Sequence, residues 1–241
     1  MIYHPGSDRG EPAQSGVAEM IPVPVRTEDG LVVTGWYAPP TQPQSVTIAL
    51  FHGNAGTIAH RAHKARMLLD AGYGVFLVGY RGYGGNPGRP SEAGLYSDAR
   101  AALAWLQARG VPENRLVAYG ESLGTGIAVQ MMTEHPSLAA LVLEAPFTSL
   151  PNLAPPYLMP GFADMLMVDR YDSLSKITAN PAPLLILHGE HDGVVPVSMG
   201  RQMFAAASGE KEGAFLSRAG HNDLWDHGGG ERVVEFLIKH T

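Results

Sequence analysis

A serine flanked by two glycines, each two residues away, most constrains how this chain can fold. The segment Gly120-Glu121-Ser122-Leu123-Gly124 has this Gly-x-Ser-x-Gly spacing. The pentapeptide alone is weak evidence, but an apolar run at 116–119 precedes it and another at 127–132 follows it. This context predicts a strand, a sharp turn at Ser122, and a helix opening at Ile127. The serine backbone is strained in such a turn, so its near neighbours must lack bulk.

From residue 45 onward, short apolar runs alternate with segments of helical period. Strands are predicted at 45–51, 74–80, 116–119, 138–143, 183–188 and 213–217, and helices at 57–71, 91–110, 127–134, 196–207 and 231–240. Strands that alternate with helices of this length favour right-handed crossovers. The sequence therefore predicts an α/β fold with a mostly parallel central sheet and helices on both faces.

Two extended runs before residue 45 predict an antiparallel N-terminal hairpin. The runs at 19–25 and 31–37 flank Asp29-Gly30, a dipeptide typical of tight hairpin turns. Pro22 and Pro24 in the first run favour an edge strand, because proline cannot donate a ladder hydrogen bond. Residues 1–16 are rich in Pro, Gly and Ser and are predicted to form an irregular arm.

The length of 241 residues suits one α/β domain spanning 1–241. Residues 146–180 interrupt the alternation with several prolines, and we interpret them as a short lid or insertion. Met159 and Phe162 supply apolar bulk there, which either shapes a substrate pocket or covers the core. Phe147 and Tyr83 are further candidate substrate-binding residues, and Tyr83 has a structural role as its alternative.

In an open parallel sheet, functional groups gather beyond the carboxyl ends of the strands. Asp192 follows the predicted strand that ends at His188, and His221 follows the predicted strand that ends near Ser217. A serine, an acid and a histidine therefore occur in this order at three strand ends, which is a known order for a catalytic triad.

Each member of this set has a chemical reason to be present. A serine hydroxyl is a weak nucleophile, so a base must take its proton, and an imidazole that titrates near pH ~6.5 can do so. Asp192 would fix the tautomer of His221 and stabilise the imidazolium. The backbone N–H groups of Leu123 and Asn54 are the predicted donors to the oxyanion.

Other residues could take these roles or have ordinary ones. Glu144, one strand earlier, is the alternative acid, and Asp223 is predicted to cap a turn beside His221. Glu121 is interpreted as a surface residue or a supporting neighbour of the site. His188 and His191 resemble a metal pair only by their spacing, and no metal is expected.

Composition limits the remaining classes of function. The net charge of -6 argues against a general affinity for nucleic acid. The chain has no cysteine, so disulfides and a thiol nucleophile are excluded, although the compartment is left open. No apolar run approaches the ~20 residues of a membrane span, and the first residues do not resemble a signal peptide. The sequence favours a soluble, cytoplasmic location over a secreted one.

The chain resembles the α/β-hydrolase superfamily, and within it the branch of small serine hydrolases that includes membrane-associated lipid hydrolases and protein depalmitoylases. The resemblance runs from about residue 29 to the C-terminus. It is carried by Phe51-His-Gly-Asn-Ala-Gly56, Tyr80-Arg-Gly-Tyr-Gly84, Gly88-Arg-Pro-Ser-Glu92, Gly120-Glu-Ser-Leu-Gly124, Glu144-Ala-Pro-Phe147, His188-Gly-Glu-His-Asp192 and Gly220-His221. It implies a serine hydrolase without a cofactor that acts on acyl esters or thioesters. A membrane surface is a possible partner that the sequence does not show.

The leading hypothesis is therefore a carboxylic-ester hydrolase with an acyl-enzyme intermediate, acting on a small-molecule or lipid ester. A serine peptidase of the same fold is one alternative, because the same triad can cleave amides. A non-catalytic binding module on the hydrolase fold is another, although such proteins usually lose a triad member.

Overall fold

An eight-stranded sheet forms the centre of the computed structural model, which describes residues 3–153 and 167–241. The strands are β1 His4–Pro5, β2 Ile21–Arg26, β3 Val32–Ala38, β4 Thr47–Phe51, β5 Ala55–Gly56, β6 Gly74–Val78, β7 Leu116–Glu121, β8 Ala140–Glu144, β9 Leu184–Gly189 and β10 Lys211–Leu216. The central sheet has the order β10-β9-β8-β7-β4-β6-β3-β2, and β1 pairs separately with β5.

Every pair from β10 to β6 is parallel, whereas β3 runs antiparallel to both β6 and β2. The predicted N-terminal hairpin is thereby confirmed, and its backbone is closed by a hydrogen bond of 2.9 Å from Thr27 N–H to the Leu31 carbonyl. β2, with its two prolines, is an edge strand, as the sequence predicts.

Helices cover both faces of this sheet, as predicted. They are α1 Ala62–Asp70, α2 Glu92–Gln107, α3 Leu123–Glu134, α4 Ser173–Ile177, α5 Val197–Ala206 and α6 Gly229–His240. One apolar cluster joins α2, α3 and α5 to one face, and a second joins α1 and α6 to the other. The first turn of the predicted 57–71 helix is a 3-10 helix, Ile58–Arg61, that leads into α1.

The helix after the Gly-x-Ser-x-Gly turn begins at Leu123, so the predicted start at Ile127 was wrong. Glycine favours turns by propensity, but here close packing overrides that preference. A Cβ on Gly124 would lie 1.9 Å from the Phe51 carbonyl oxygen, and one on Gly126 would lie 2.7 Å from Tyr171 Cδ1. These two glycines therefore lie inside α3 because its first turn passes against β4 and against Tyr171.

The N-terminal arm is fixed to the rest of the fold by its first described residues. β1 pairs in parallel with β5, and Gly6 N–H donates to the Gly56 carbonyl at 3.1 Å. Tyr3 is buried, and its hydroxyl donates to Asp169 Oδ2 at 2.8 Å and lies 3.1 Å from the Tyr171 hydroxyl. The arm therefore joins the loop after β4 to the segment that leads into α4.

The predicted lid at 146–180 falls partly on residues 154–166, which lie outside the described residues. Met159 and Phe162 are among them. The described ends of this segment contain a 3-10 helix, Pro151–Leu153, and α4. The lid and the single domain spanning 1–241 stay predictions.

Replacing Gly124 by alanine tests the close contact between α3 and β4. We expect Gly124→Ala to lower the free energy of unfolding by about 1–3 kcal/mol, because the added methyl group forces backbone apart. Urea denaturation measures this change. Gly193→Ala is the matched control, since no heavy atom lies within 4 Å of a Cβ built there. Equal midpoints for both variants would contradict the packing argument.

Candidate active site

Ser122 is held at the sharp junction of β7 and α3. Its backbone has φ 49° and ψ −115°, an unfavourable conformation for a residue with a side chain. Its N–H donates to the Glu144 carbonyl at 2.8 Å, and its own carbonyl accepts from Thr125 N–H at 2.9 Å and from Thr125 Oγ1 at 2.6 Å. A Cβ on Gly120 would lie 2.4 Å from the Gly124 carbonyl oxygen. The surrounding hydrogen bonds and the absence of bulk hold the strained turn in place.

His221 lies next to the Ser122 hydroxyl. The Nε2 atom of His221 is 3.1 Å from Ser122 Oγ, although the two residues are 99 positions apart. The turn after β10 that carries His221 is fixed by Gly220 N–H, which donates to Asp223 Oδ1 at 2.6 Å. The prediction that Asp223 caps this turn is therefore confirmed. With Nε2 unprotonated, His221 can accept the serine proton.

Asp192 lies on the opposite side of the imidazole, where His221 Nδ1–H donates to its Oδ2 at 2.7 Å. The other oxygen, Oδ1, accepts from the N–H groups of Val194 at 2.8 Å and Val195 at 2.7 Å. Burial by itself raises the pKa of Asp192. Hydrogen bonds from two histidines and a backbone amide outweigh burial and hold the pKa well below its usual range. The carboxylate is therefore ionised and oriented toward His221.

His188, the last-but-one residue of β9, contacts the loop that carries Asp192. It is fully buried, and its Nε2 is 2.9 Å from the Val195 carbonyl and 3.4 Å from Asp192 Oδ2. Its Nε2–H group therefore lies between these two acceptors. In this structure His188 contacts the acid.

The alternative acid, Glu144, is engaged elsewhere. Its carboxylate accepts from Lys64 Nζ at 2.9 and 2.8 Å, from Trp225 Nε1 at 3.1 Å, and from the Tyr119 hydroxyl. These donors hold Glu144 on the side of the sheet that packs against α1. The structure brings Asp192, and not Glu144, to His221.

The two predicted oxyanion donors lie in the loop after β4 and at the start of α3. Leu123 is the first residue of α3, where backbone N–H groups have no partner within the helix and the helix dipole favours negative charge. The Asn54 carbonyl accepts from the Tyr83 hydroxyl at 2.9 Å, and Asn54 Oδ1 accepts from His4 N–H at 3.3 Å. Tyr83 and the N-terminal arm therefore fix the loop that carries Asn54. The role of the Asn54 and Leu123 N–H groups as oxyanion donors stays a prediction.

The four predicted substrate-binding residues fare differently. Tyr83 is 2% exposed, and its hydroxyl contacts Asn54. Phe147 is buried in the core, with its ring 6.4 Å from that of Tyr171. Met159 and Phe162 are outside the described residues. A contact of any of the four with substrate stays a prediction.

The sequence interpretation missed a buried group of charges beside Ser122, formed by Arg61, Lys64, Glu121 and Glu144. A signal was present, because Lys64 and Leu68 are four residues apart and so share the apolar face of the predicted helix. A lysine in that stripe needs an acidic partner when it is buried.

His52 lies in the loop after β4 and is buried inside the protein. Its Nδ1–H donates to the Gly53 carbonyl at 2.8 Å, and its ring stacks on Tyr80 with centroids 4.1 Å apart. Burial, reinforced by the nearby charge of Arg61, lowers the pKa of His52 to about 3. The buried imidazole is therefore neutral at physiological pH.

This fold, with a serine at the sharp turn between β7 and α3, is that of an α/β hydrolase. The chain belongs to this superfamily: the family model described as serine aminopeptidase, S33, matches residues 42–168. The esterase Pf2001 of Pyrococcus furiosus has a similar structure, with a TM-score of 0.79 and 20% identity over 99% of this chain and 97% of that chain. At this identity the likeness concerns the fold alone.

Two relatives in sequence are more similar. An uncharacterized protein of Mycobacterium tuberculosis (strain ATCC 25618 / H37Rv) is 40% identical over 92% of this chain and 80% of its own length. The lysophosphatidylserine lipase ABHD12 of Danio rerio is 34% identical over 81% of this chain, but the match spans only 56% of the lipase. Together the family and these relatives identify the chain as a hydrolase of this superfamily.

Within residues 3–153 and 167–241, no helix is both long enough and apolar enough to span a membrane.

Acid conditions should destabilise the protein through His52. The unfolded chain protonates this residue near pH ~6.5, whereas the folded protein keeps it neutral down to about pH 3. Between these values the unfolded state binds more protons than the folded state. The contribution of neutral His52 to the free energy of unfolding is therefore complete only above pH ~6.5. It is lost on acidification by up to about 1.4 kcal/mol per pH unit.

We expect His52→Gln to remove this part of the pH dependence. Denaturant unfolding of wild type and His52→Gln at about pH 5 and about pH 8 measures this effect. The difference in the free energy of unfolding between the two proteins should be smaller at about pH 5. A difference that is the same at both pH values would show that His52 protonates equally in the folded and unfolded states.

Proposed function

We propose that the chain hydrolyses carboxylic esters or thioesters through an acyl-enzyme intermediate. The observation that carries this proposal is the continuous line of contacts from Ser122 Oγ to His221 Nε2, 3.1 Å, and from His221 Nδ1 to Asp192 Oδ2, 2.7 Å. The similarity to a lysophosphatidylserine lipase supports ester hydrolysis as the reaction class. The nucleophile, base and acid are assigned to Ser122, His221 and Asp192.

Acylation begins when Ser122 Oγ attacks the carbonyl carbon of the ester. The hydroxyl proton moves to His221 Nε2, and the Asp192 carboxylate stabilises the imidazolium through Nδ1–H. The carbonyl oxygen becomes an oxyanion, which accepts hydrogen bonds from the N–H groups of Asn54 and Leu123. Because these donors are fixed before the reaction, no reorganisation is needed when the charge develops.

The intermediate then collapses, and the bond between the carbonyl carbon and the leaving oxygen or sulfur breaks. His221 Nε2–H gives its proton to the leaving group, and the acyl group stays on Ser122. A water molecule next loses a proton to His221 and attacks the acyl carbon through the same oxyanion position. Release of the acid returns the proton to Ser122 Oγ, so no cofactor is consumed.

A lipid ester is the substrate class that the named relative supports. The relative from Danio rerio is a lysophosphatidylserine lipase, and its match covers 81% of this chain. Because the match covers 56% of that lipase, a common substrate is a proposal. Esters from acetyl to palmitoyl, assayed as one series, rank the acyl length that the pocket accepts.

A serine aminopeptidase is the second candidate, because the matching family model is described in those words. An aminopeptidase must bind the free α-amine of its substrate, which usually requires a carboxylate near the site. Among the described residues, Glu121 and Glu144 are the buried glutamates beside Ser122, and both are bound to Arg61 or Lys64. Their engagement favours the esterase.

Ser122→Ala tests the proposed nucleophile. We expect the kcat for a short p-nitrophenyl ester to fall by about 10⁴-fold or more, because no acyl-enzyme can form without Oγ. Initial rates of purified wild type and variant measure this loss. Ser97→Ala, a change at a buried serine of α2, controls for general damage to the fold.

Covalent labelling separates the enzyme from a binding module. A fluorophosphonate probe should label wild type and Ser97→Ala but leave Ser122→Ala unmodified. Equal ester hydrolysis by wild type and Ser122→Ala, or a wild-type protein that is not labelled, would rule out Ser122 as the nucleophile.

A pair of esters that differ only at the amine distinguishes the two candidate functions. We expect the kcat/KM for N-acetylleucine methyl ester to be at least equal to that for leucine methyl ester, because the described carboxylates of Glu121 and Glu144 are already bound to Arg61 or Lys64. Titration of released acid at constant pH measures both rates, with Ser122→Ala as the blank. A preference of tenfold or more for the free amine, about 1.4 kcal/mol, would favour the aminopeptidase.

A further inference from the structure

The four largely buried charges beside Ser122 perform no step of the proposed reaction. They contact both the turn that carries Ser122 and the loop after β4. We define the charge cluster as Arg61, Lys64, Glu121 and Glu144. The side chains of Lys64 and Glu144 are 7% and 3% exposed, and those of Arg61 and Glu121 are 12% and 14% exposed. Removing charges from water is costly, so such a group needs a stated reason to be there.

Arg61 links the nucleophile turn to the loop after β4. Its Nε is 3.2 Å from both carboxylate oxygens of Glu121, and its Nη2 donates to Glu121 Oε1. Its Nη1 donates to the Ala55 carbonyl at 2.9 Å. Glu121 is the residue before Ser122, and Ala55 is the residue after Asn54. One guanidinium therefore binds two residues before one proposed oxyanion donor, Leu123, and one residue after the other, Asn54.

Lys64 holds Glu121 from the other direction. Its Nζ donates to Glu121 Oε2 at 2.8 Å and to both oxygens of Glu144 at 2.9 and 2.8 Å. Glu144 is in turn connected to the nucleophile, because its carbonyl accepts from Ser122 N–H at 2.8 Å. The cluster is thus anchored on β7, β8 and α1, while the loop after β4 is attached to it through Arg61.

The ionisation of the cluster is fixed by its members. Burial by itself raises the pKa of Glu121, but the charges of Lys64 and Arg61 outweigh it and hold the pKa below its usual range. Burial likewise lowers the pKa of Lys64, and the charges of Glu144 and Glu121 outweigh it and raise the pKa. Two cations therefore face two carboxylates, and the cluster as a whole is neutral.

We propose that Arg61 and Glu121 are a positioning pair that sets the distance between the loop carrying Asn54 and the turn carrying Leu123. This inference rests on the proposed function. An oxyanion hole works only when both N–H groups lie at hydrogen-bond distance from one developing charge, so an error of about 1 Å in the loop lowers the rate. Phe51 is the last residue of β4, so the loop that follows lies outside the central sheet. Arg61 links this loop through its side chain to the turn that carries Ser122.

The variants must separate positioning from stability. Arg61→Lys keeps the charge and loses the planar fork that reaches Glu121 and Ala55 together. Arg61→Met and Glu121→Gln each leave the cluster with one unbalanced charge and risk unfolding. The double variant Arg61→Met/Glu121→Gln removes both charges, keeps the cluster neutral, and completes a double-mutant cycle. Arg66→Lys, at a half-exposed arginine of α1, is the matched control.

For the folded variants at Arg61 and Glu121, we expect kcat to fall by about 10- to 100-fold with a short p-nitrophenyl ester, while KM changes by less than about threefold. The affinity for a trifluoromethyl ketone, whose adduct with Ser122 places an oxyanion in the hole, should fall in parallel with kcat/KM. The double variant should be no slower than the slower single variant, because both act through one link. Arg66→Lys should match wild type.

A purely structural cluster predicts another outcome. If the double variant, folded as judged by circular dichroism and thermal unfolding, keeps wild-type kcat and ketone affinity, the positioning role is overturned. Additive losses from Arg61→Met and Glu121→Gln would overturn the pairing in the same way. Failure of the proposed function is distinguishable, because then the wild-type protein itself would lack Ser122-dependent hydrolysis.

Discussion

The approach of the first turn of α3 to the backbone of β4 decides where Ser122 lies. A Cβ on Gly124 would lie 1.9 Å from the Phe51 carbonyl oxygen, so the helix can reach this depth only with glycine there. At this depth Ser122 must turn through a backbone angle of φ 49° to connect β7 with α3. A strained residue persists only where its surroundings leave no alternative, and here hydrogen bonds on both sides of Ser122 supply that constraint.

The parallel sheet brings the three groups of the site together. β7, β9 and β10 end at the same edge, and the residues that follow them are Ser122, the loop of Asp192 and the turn of His221. Each group reaches the site on a short connection after a strand, so the sheet brings together groups that are far apart in sequence. The buried charge cluster then fastens the loop after β4 to this edge.

Much of this architecture was predictable, because it depends on local patterns. Alternating apolar runs indicate the parallel sheet, Asp29-Gly30 indicates the hairpin, and the spacing around Ser122 indicates the turn. The order of serine, acid and histidine identified three groups that the structure brings within hydrogen-bond distance. These features follow from residues close together in sequence or from the rule that functional groups gather at one edge of the sheet.

What could not be predicted depends on contacts between distant segments. The helix start at Leu123 is set by packing against Phe51 and Tyr171, which propensity does not contain. The partners of Lys64 are 57 and 80 residues away, so its pattern indicated burial but no pairing. The hydroxyl of Tyr83 is bound to Asn54, which a glycine-rich loop does not reveal.

The attachment of the N-terminal arm has a consequence for the order of folding. Residues 4 and 5 pair with Ala55 and Gly56, and the Tyr3 hydroxyl contacts Asp169 and Tyr171, which are 166 and 168 residues away. Contacts of such long sequence separation form late, because the intervening chain must first be ordered. During synthesis the arm leaves the ribosome before Asp169 and Tyr171 do, so these contacts must wait until the intervening chain has followed.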